Sequence, residues 1–157
     1  FRLEWLEVAW RMVKAKPILG FGLNTFSLQE APFTGQNAEQ LYEKFGDALP
    51  VVHNIYLLVW AEQGTLGLLL FAGLLVNLFA MAIGNLRYRL SQRALMINLG
   101  ALCGLVAICM DGMASYYLRT PAPARVFWIV AALVVAIWYW NRINAPLRGP
   151  RRYQGDS

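Results

Sequence analysis

The sequence predicts an all-α integral membrane protein, a polar outer segment of helices followed by three membrane-spanning helices. Three observations predict it. Hydrophobic residues make up 58% of the 157 positions, against ~45–50% in soluble domains. Residues 63–86 contain no charged side chain. The net charge of +5 is unevenly placed, because residues 1–62 hold five basic and seven acidic side chains. The basic excess therefore lies in short loops between apolar runs and in the tail. That placement follows membrane topology and argues against a nucleic-acid surface.

The first span is expected over residues 65–84, where twenty residues at a rise of ~1.5 Å cover the ~30 Å of a hydrocarbon core. The second is expected over 94–118, with Asp111 as its only charge. The third, over 126–141, is short. Arg125 and Arg142 flank it, and Trp128, Trp138, Tyr139 and Trp140 suit its two interfaces. Cys103 and Cys109 fall within one apolar run, without the neighbours a metal site needs, and are expected to be buried thiols.

The loops orient these spans. Arg87, Arg89 and Arg93 crowd the first connection, and Arg142, Arg148, Arg151 and Arg152 crowd the tail after the last span. Lys/Arg enrichment marks the cytoplasmic side, so residues 1–62 and the RTPAPAR connection belong outside. The division is then an outer region over 1–62, three spans within 63–141 and a basic cytoplasmic tail over 142–157. Phe1 is not an initiator Met and no signal peptide precedes the first helix. The chain is accordingly expected to be the C-terminal fragment of a larger polytopic bundle.

The outer segment carries structure of its own. Trp5, Leu6, Ala9, Met12 and Val13 recur at helical spacing over residues 2–16, and Pro17 stops that helix. In PILGFGLNTF, Gly20 and Gly22 permit tight turns between apolar anchors. A short helix is expected over 38–45. Another should start after Pro50 and run into the membrane, with a kink or a close helix contact at Gly64 and Gly67.

Few residues here carry chemistry. His53 is the only histidine, next to Asn54 at the start of an apolar helix. A neutral imidazole accepts a proton from a hydroxyl, and a protonated one holds a diphosphate. The plain alternative is an interfacial histidine that bonds a backbone carbonyl. Arg2 and Arg11 lie on the first helix, and arginine grips phosphate oxygens two at a time. Their alternative is a solvated or headgroup-facing role. Asp111, deep in the second span, calls for a partner such as an arginine, or for a functional cavity. Glu62, at the membrane edge, is expected to be an interface residue. GFG lacks the lysine and strand context of a nucleotide loop, and no Asp-x-Asp pair suggests a divalent metal.

Taken in order, FRLEWLEVAW, KPILGFGLNTF, VVHNIYLLVWAEQGTLGLLLF and YYLRTPAPARVFWIVAAL resemble the C-terminal conserved region of the O-antigen ligase/polymerase superfamily. The strongest piece is His-Asn-x-Tyr-Leu followed by Ala-Glu-x-Gly-x-x-Gly, here His53 to Gly67. The resemblance covers most of the chain except residues 27–50 and the tail. It implies a bacterial inner-membrane enzyme with many more spans than three. Its reaction would be metal-independent, inverting glycan transfer from undecaprenyl diphosphate to an acceptor hydroxyl. The acceptor is a lipid A core sugar, a growing glycan or a protein side chain, and no cofactor is implied. Arg2 matches the family's arginine before the Trp-containing helix, and His53 its histidine. Asp111 resembles an acidic position found after the histidine in some ligases. The resemblance thus implies catalytic roles for His53 and Arg2, and substrate contacts for Arg11, Asn54 and Asp111. Two alternatives stay open: a transporter of a small solute that uses Asp111, and a non-catalytic assembly subunit.

Overall fold

The computed structural model describes residues 2–35, 40, 43, 51–88 and 90–144. Its helices are α1 (Arg2–Ala15), α2 (Phe26–Gln29), α3 (Ala31–Thr34), α4 (Ile55–Asn85), α5 (Gln92–Asp111) and α6 (Pro121–Asn144), with a 3-10 turn at Tyr117–Arg119. The helix expected over 38–45 falls largely outside the described residues. Three helices, α4, α5 and α6, are long and apolar enough to cross a membrane. The protein is all-α and of the membrane type.

α4 is 31 residues long and broken once. Gly64 has φ 67° and ψ −171°, far from helical values. The break leaves 65–85 as a straight apolar rod of ~31 Å, matched to a bilayer. It also frees backbone groups that an unbroken helix would pair internally, and the 17–22 loop takes them up. Phe21 N–H donates to the Ala61 carbonyl at 3.2 Å and Gly22 N–H to the Glu62 carbonyl at 2.7 Å. In return, Thr65 N–H donates to the Pro17 carbonyl at 2.8 Å and Leu66 N–H to the Ile18 carbonyl at 3.4 Å. Two helical bonds are thereby exchanged for four bonds to the loop, so the break costs little.

That exchange needs backbone against backbone. A Cβ on Gly64 would lie 2.1 Å from the Ile18 carbonyl oxygen, and one on Gly20 2.4 Å from that of Glu62. Both glycines also have φ of 67°, a conformation that side chains resist. The kink expected near Gly64 is therefore the seat of a loop.

Two features differ from expectation. α5 ends at Asp111 rather than near 118, because the Gly112 carbonyl turns to accept from Ile55 N–H at 2.9 Å. This bond ties the end of α5 to the start of α4. α6 starts at Pro121, so the RTPAPAR connection is largely helix. Proline suits the first helical turn, where no N–H is needed. The third span is consequently 24 residues long and no longer short.

The core has two parts. At the loop end, the buried face of α1 (Trp5, Val8, Ala9, Met12, Val13) packs with Phe26, Val52, Ile55 and Leu58. In the bundle, Leu75, Leu78 and Ala82 of α4 pack with Ala101 and Leu105 of α5 and Phe127, Ala131 and Val134 of α6. Far from the loop end, three buried asparagines join the helices. Asn85 donates to the Asn98 side chain at 2.8 Å, and Asn141 donates to Asn85 at 3.5 Å. Cys103 is exposed on α5 and Cys109 half-buried, which corrects the expectation of two buried thiols. An apolar surface is what a lipid-facing cysteine meets.

Candidate functional site

His53 lies just before α4, half-buried. Its ring meets that of Tyr116 edge-on, with centroids 5.0 Å apart. Its neighbours fasten the segment from both sides. Asn54 caps α4, its Oδ1 accepting from Leu57 N–H at 2.9 Å, and its Nδ2 donates to the Met113 carbonyl at 3.1 Å. The side chain expected to touch substrate is thus engaged in holding the histidine's backbone to the turn after α5. Val52 and Ile55 are buried in the core that also holds Trp5 of α1. Arg2 is the first residue of α1, and its side chain lies outside the described residues.

Two other expected site residues are placed by internal contacts. Arg11 is exposed, paired with Glu7 at 2.6 Å and donating to the Phe33 carbonyl at 3.1 Å. It fastens α3 to α1. Asp111 is corrected more strongly, for it closes α5 at an exposed position and accepts from the Ser115 hydroxyl at 2.5 Å. Because α5 stops there, Asp111 is not deep in a span. Its partner is a hydroxyl, and it lines a cavity of about 500 Å³ with Ile108, Leu118 and Val126, the second of the two settings expected for it.

Glu62 is only 3% exposed, and its carboxylate is met by both backbone and side-chain donors. One carboxylate oxygen accepts from Asn24 N–H at 2.9 Å, and the other accepts from Phe26 N–H at 2.9 Å. The second oxygen also lies 3.3 Å from Nη1 of Arg119. Arg119 in turn donates through Nε to the Asn24 side-chain oxygen at 2.8 Å, with Nη2 on the same oxygen. The loop after Gly22, the break in α4 and the turn before α6 are joined through one ion pair.

Glu30 lies close by in the same electrostatic field. It is 1% exposed, and among the described residues neither carboxyl oxygen has a hydrogen-bond partner. Burial pushes its pKa up to about 8, and the positive charge of Arg119 opposes that rise. At neutral pH this carboxyl is chiefly protonated. Neither Arg119 nor Glu30 was singled out from sequence. A signal existed for the ion pair: Glu62 is the last charge before the apolar run, and Arg119 is the only basic residue between Arg93 and Arg125.

Beside the ion pair lies a groove of about 220 Å³ between α4 and α6, whose walls include Leu58, Phe71, Leu74, Phe127 and Trp128. Glu62, Gln63 and Arg119 line its polar part. Its shape suits a molecule with an apolar chain and a polar head.

The family model of the O-antigen ligases matches residues 1–72. Over these residues the chain is similar to the O-antigen ligases. The match takes in α1, the 17–22 loop, His53, Glu62 and the break at Gly64, and it ends within α4. The ligase family is one of membrane enzymes that handle lipid-linked glycans. Neither the curated proteins nor the solved structures yield a match to this chain.

Proposed function

We propose that the protein transfers a glycan from an undecaprenyl-diphosphate donor to an acceptor hydroxyl, in the assembly of a surface polysaccharide at the bacterial inner membrane. The observation that carries this proposal is the position of His53. It stands in the ligase-matched segment, held at the mouth of an apolar helical bundle by Asn54, Tyr116 and the turn after α5.

In this proposal the loop end faces the periplasm and the basic tail the cytoplasm. The acceptor oxygen attacks the anomeric carbon of the donor sugar from the side opposite the diphosphate. The bond from that carbon to the diphosphate oxygen breaks, and its electron pair leaves with the diphosphate, inverting the centre. His53 takes the hydroxyl proton and passes it to water. Arg2 neutralises the charge that grows on the leaving diphosphate, the part a cation plays elsewhere. Support for a binding lipid comes from the groove beside Glu62 and Arg119, which offers an apolar wall to a prenyl chain.

Substituting His53→Ala and Arg2→Ala in the full-length protein tests the proposal in cells. Each is expected to abolish surface-glycan assembly while membrane levels stay normal, and unchanged glycan in both would overturn it.

A further inference from the structure

The 17–23 loop presents large apolar side chains outward: Ile18 is 69% exposed, Leu19 71% and Leu23 73%. Three such groups in sequence on water would be costly. The backbone bonds that fill the break in α4 say what covers them. The Pro17 carbonyl accepts from both the N–H and the hydroxyl of Thr65, each at 2.8 Å, and the Ile18 carbonyl accepts from Leu66 N–H. Thr65 and Leu66 open the apolar span of α4 that follows the break. The loop is thereby fixed at the depth where that helix enters the hydrocarbon, whichever way the protein is oriented.

A second observation gives the same depth. Leu23 lines the groove together with Phe71, Leu74 and Trp128, and Phe71 lies six residues or ~9 Å beyond Thr65 along the helix. The exposed loop face also adjoins an exposed apolar face of α4, where Leu66, Leu69 and Leu70 are 53–68% bare. Lys16 sits just before the loop with its ammonium 4.6 Å from the Phe21 ring centre, and Lys14 lies 5.5 Å from that of Trp10. Lysines beside aromatic rings suit the headgroup layer, where the stem is apolar and the ammonium meets lipid phosphate.

Irregular backbone at this level is stable only if its polar groups are paired. The side of the loop that faces α4 meets that condition. Pro17 has no N–H to satisfy, Gly20 N–H donates to the Lys16 carbonyl at 3.1 Å, and Phe21 and Gly22 donate to α4. The Gly22 carbonyl accepts from the Thr25 hydroxyl at 2.7 Å.

From these observations we infer that the 17–23 loop is a wedge seated in the lipid leaflet at the loop end, with Ile18 and Leu19 in contact with acyl chains. The partner is the bilayer itself. This inference does not depend on the transfer reaction, and it describes how the matched segment is anchored above the spans.

Nitroxide labels placed singly at Ile18→Cys and Leu19→Cys, in full-length protein with Cys103 and Cys109 replaced by serine, test it. The protein is reconstituted in vesicles of phosphatidylethanolamine and phosphatidylglycerol, with Leu70→Cys as the lipid reference. Both loop labels are expected to collide more with dissolved oxygen than with a water-soluble nickel chelate, as the Leu70 label does. Preferential collision with the chelate would place the loop in water and overturn the inference. Shielding from both reagents would mean that another protein element covers the loop, and would overturn it equally. Because both side chains are already exposed, labelling disturbs no packing, and the Leu70 label reports whether the protein has inserted.

Discussion

Glu62 and Glu30 are both buried carboxyls near Arg119, yet they are held in opposite ways. Glu62 meets two backbone N–H groups and the guanidinium. Glu30 meets none of these and keeps its proton up to about pH 8. This difference has a measurable consequence. Below the ordinary value of 4.5 the carboxyl is protonated whether the chain is folded or not. Between 4.5 and about 8 only the folded chain retains the proton, so stability falls as pH rises through that window and levels off above it. Thermal unfolding of the detergent-solubilised protein across this window should show the decline, on the order of a few kcal/mol. Glu30→Gln should flatten it, and equal slopes in the two proteins would contradict the burial argument.

At the scale of elements, the organising feature is the broken helix and the loop that repairs it. Gly64→Ala forces a side chain into a left-handed conformation, which costs ~1–3 kcal/mol, and drives a Cβ onto the Ile18 carbonyl. The substitution should lower the thermal midpoint of the purified protein sharply. Gly73→Ala, in the same helix with nothing within 4 Å of its Cβ, should leave the midpoint unchanged or raise it slightly. Similar midpoints for the two variants would show that the loop does not depend on the break.

These elements were legible to different degrees. Runs of apolar residues revealed the three spans and helical spacing revealed α1, because each depends on local composition. The end of α5 and the start of α6 were misplaced: the first is set by the tertiary bond from Ile55 N–H to the Gly112 carbonyl, and the second by prolines that the first helical turn accepts. Gly64 was legible as a kink, but its partner loop some 45 positions earlier was not. Backbone bonds between distant segments leave no periodic trace. The same holds for the ion pair, whose members are separated by the length of two helices. His53 stands out in the sequence because it is the only histidine and sits within a recognisable motif. Its fastening by Asn54 and Tyr116 required the tertiary fold.

The whole molecule divides its work between two ends. The apolar bundle, pinned at its far end by Asn85, Asn98 and Asn141, supplies a rigid base within the membrane. At the loop end, α1, the 17–23 wedge and the His53 segment share one small core, into which the Glu62–Arg119 pair locks the turn before α6. A chain built this way holds a single imidazole at a boundary where a lipid-borne head and a water-borne acceptor can meet. The central claim is that this imidazole serves glycan transfer. The most direct measurement uses full-length protein reconstituted with an undecaprenyl-diphosphate-linked glycan and its acceptor, and follows release of undecaprenyl diphosphate with chelator present. The account predicts release by the unaltered protein and a loss of ~10²–10⁴-fold in His53→Ala, the usual contribution of a positioned base, with the thermal midpoint preserved. Release at an undiminished rate from a folded His53→Ala protein would contradict it.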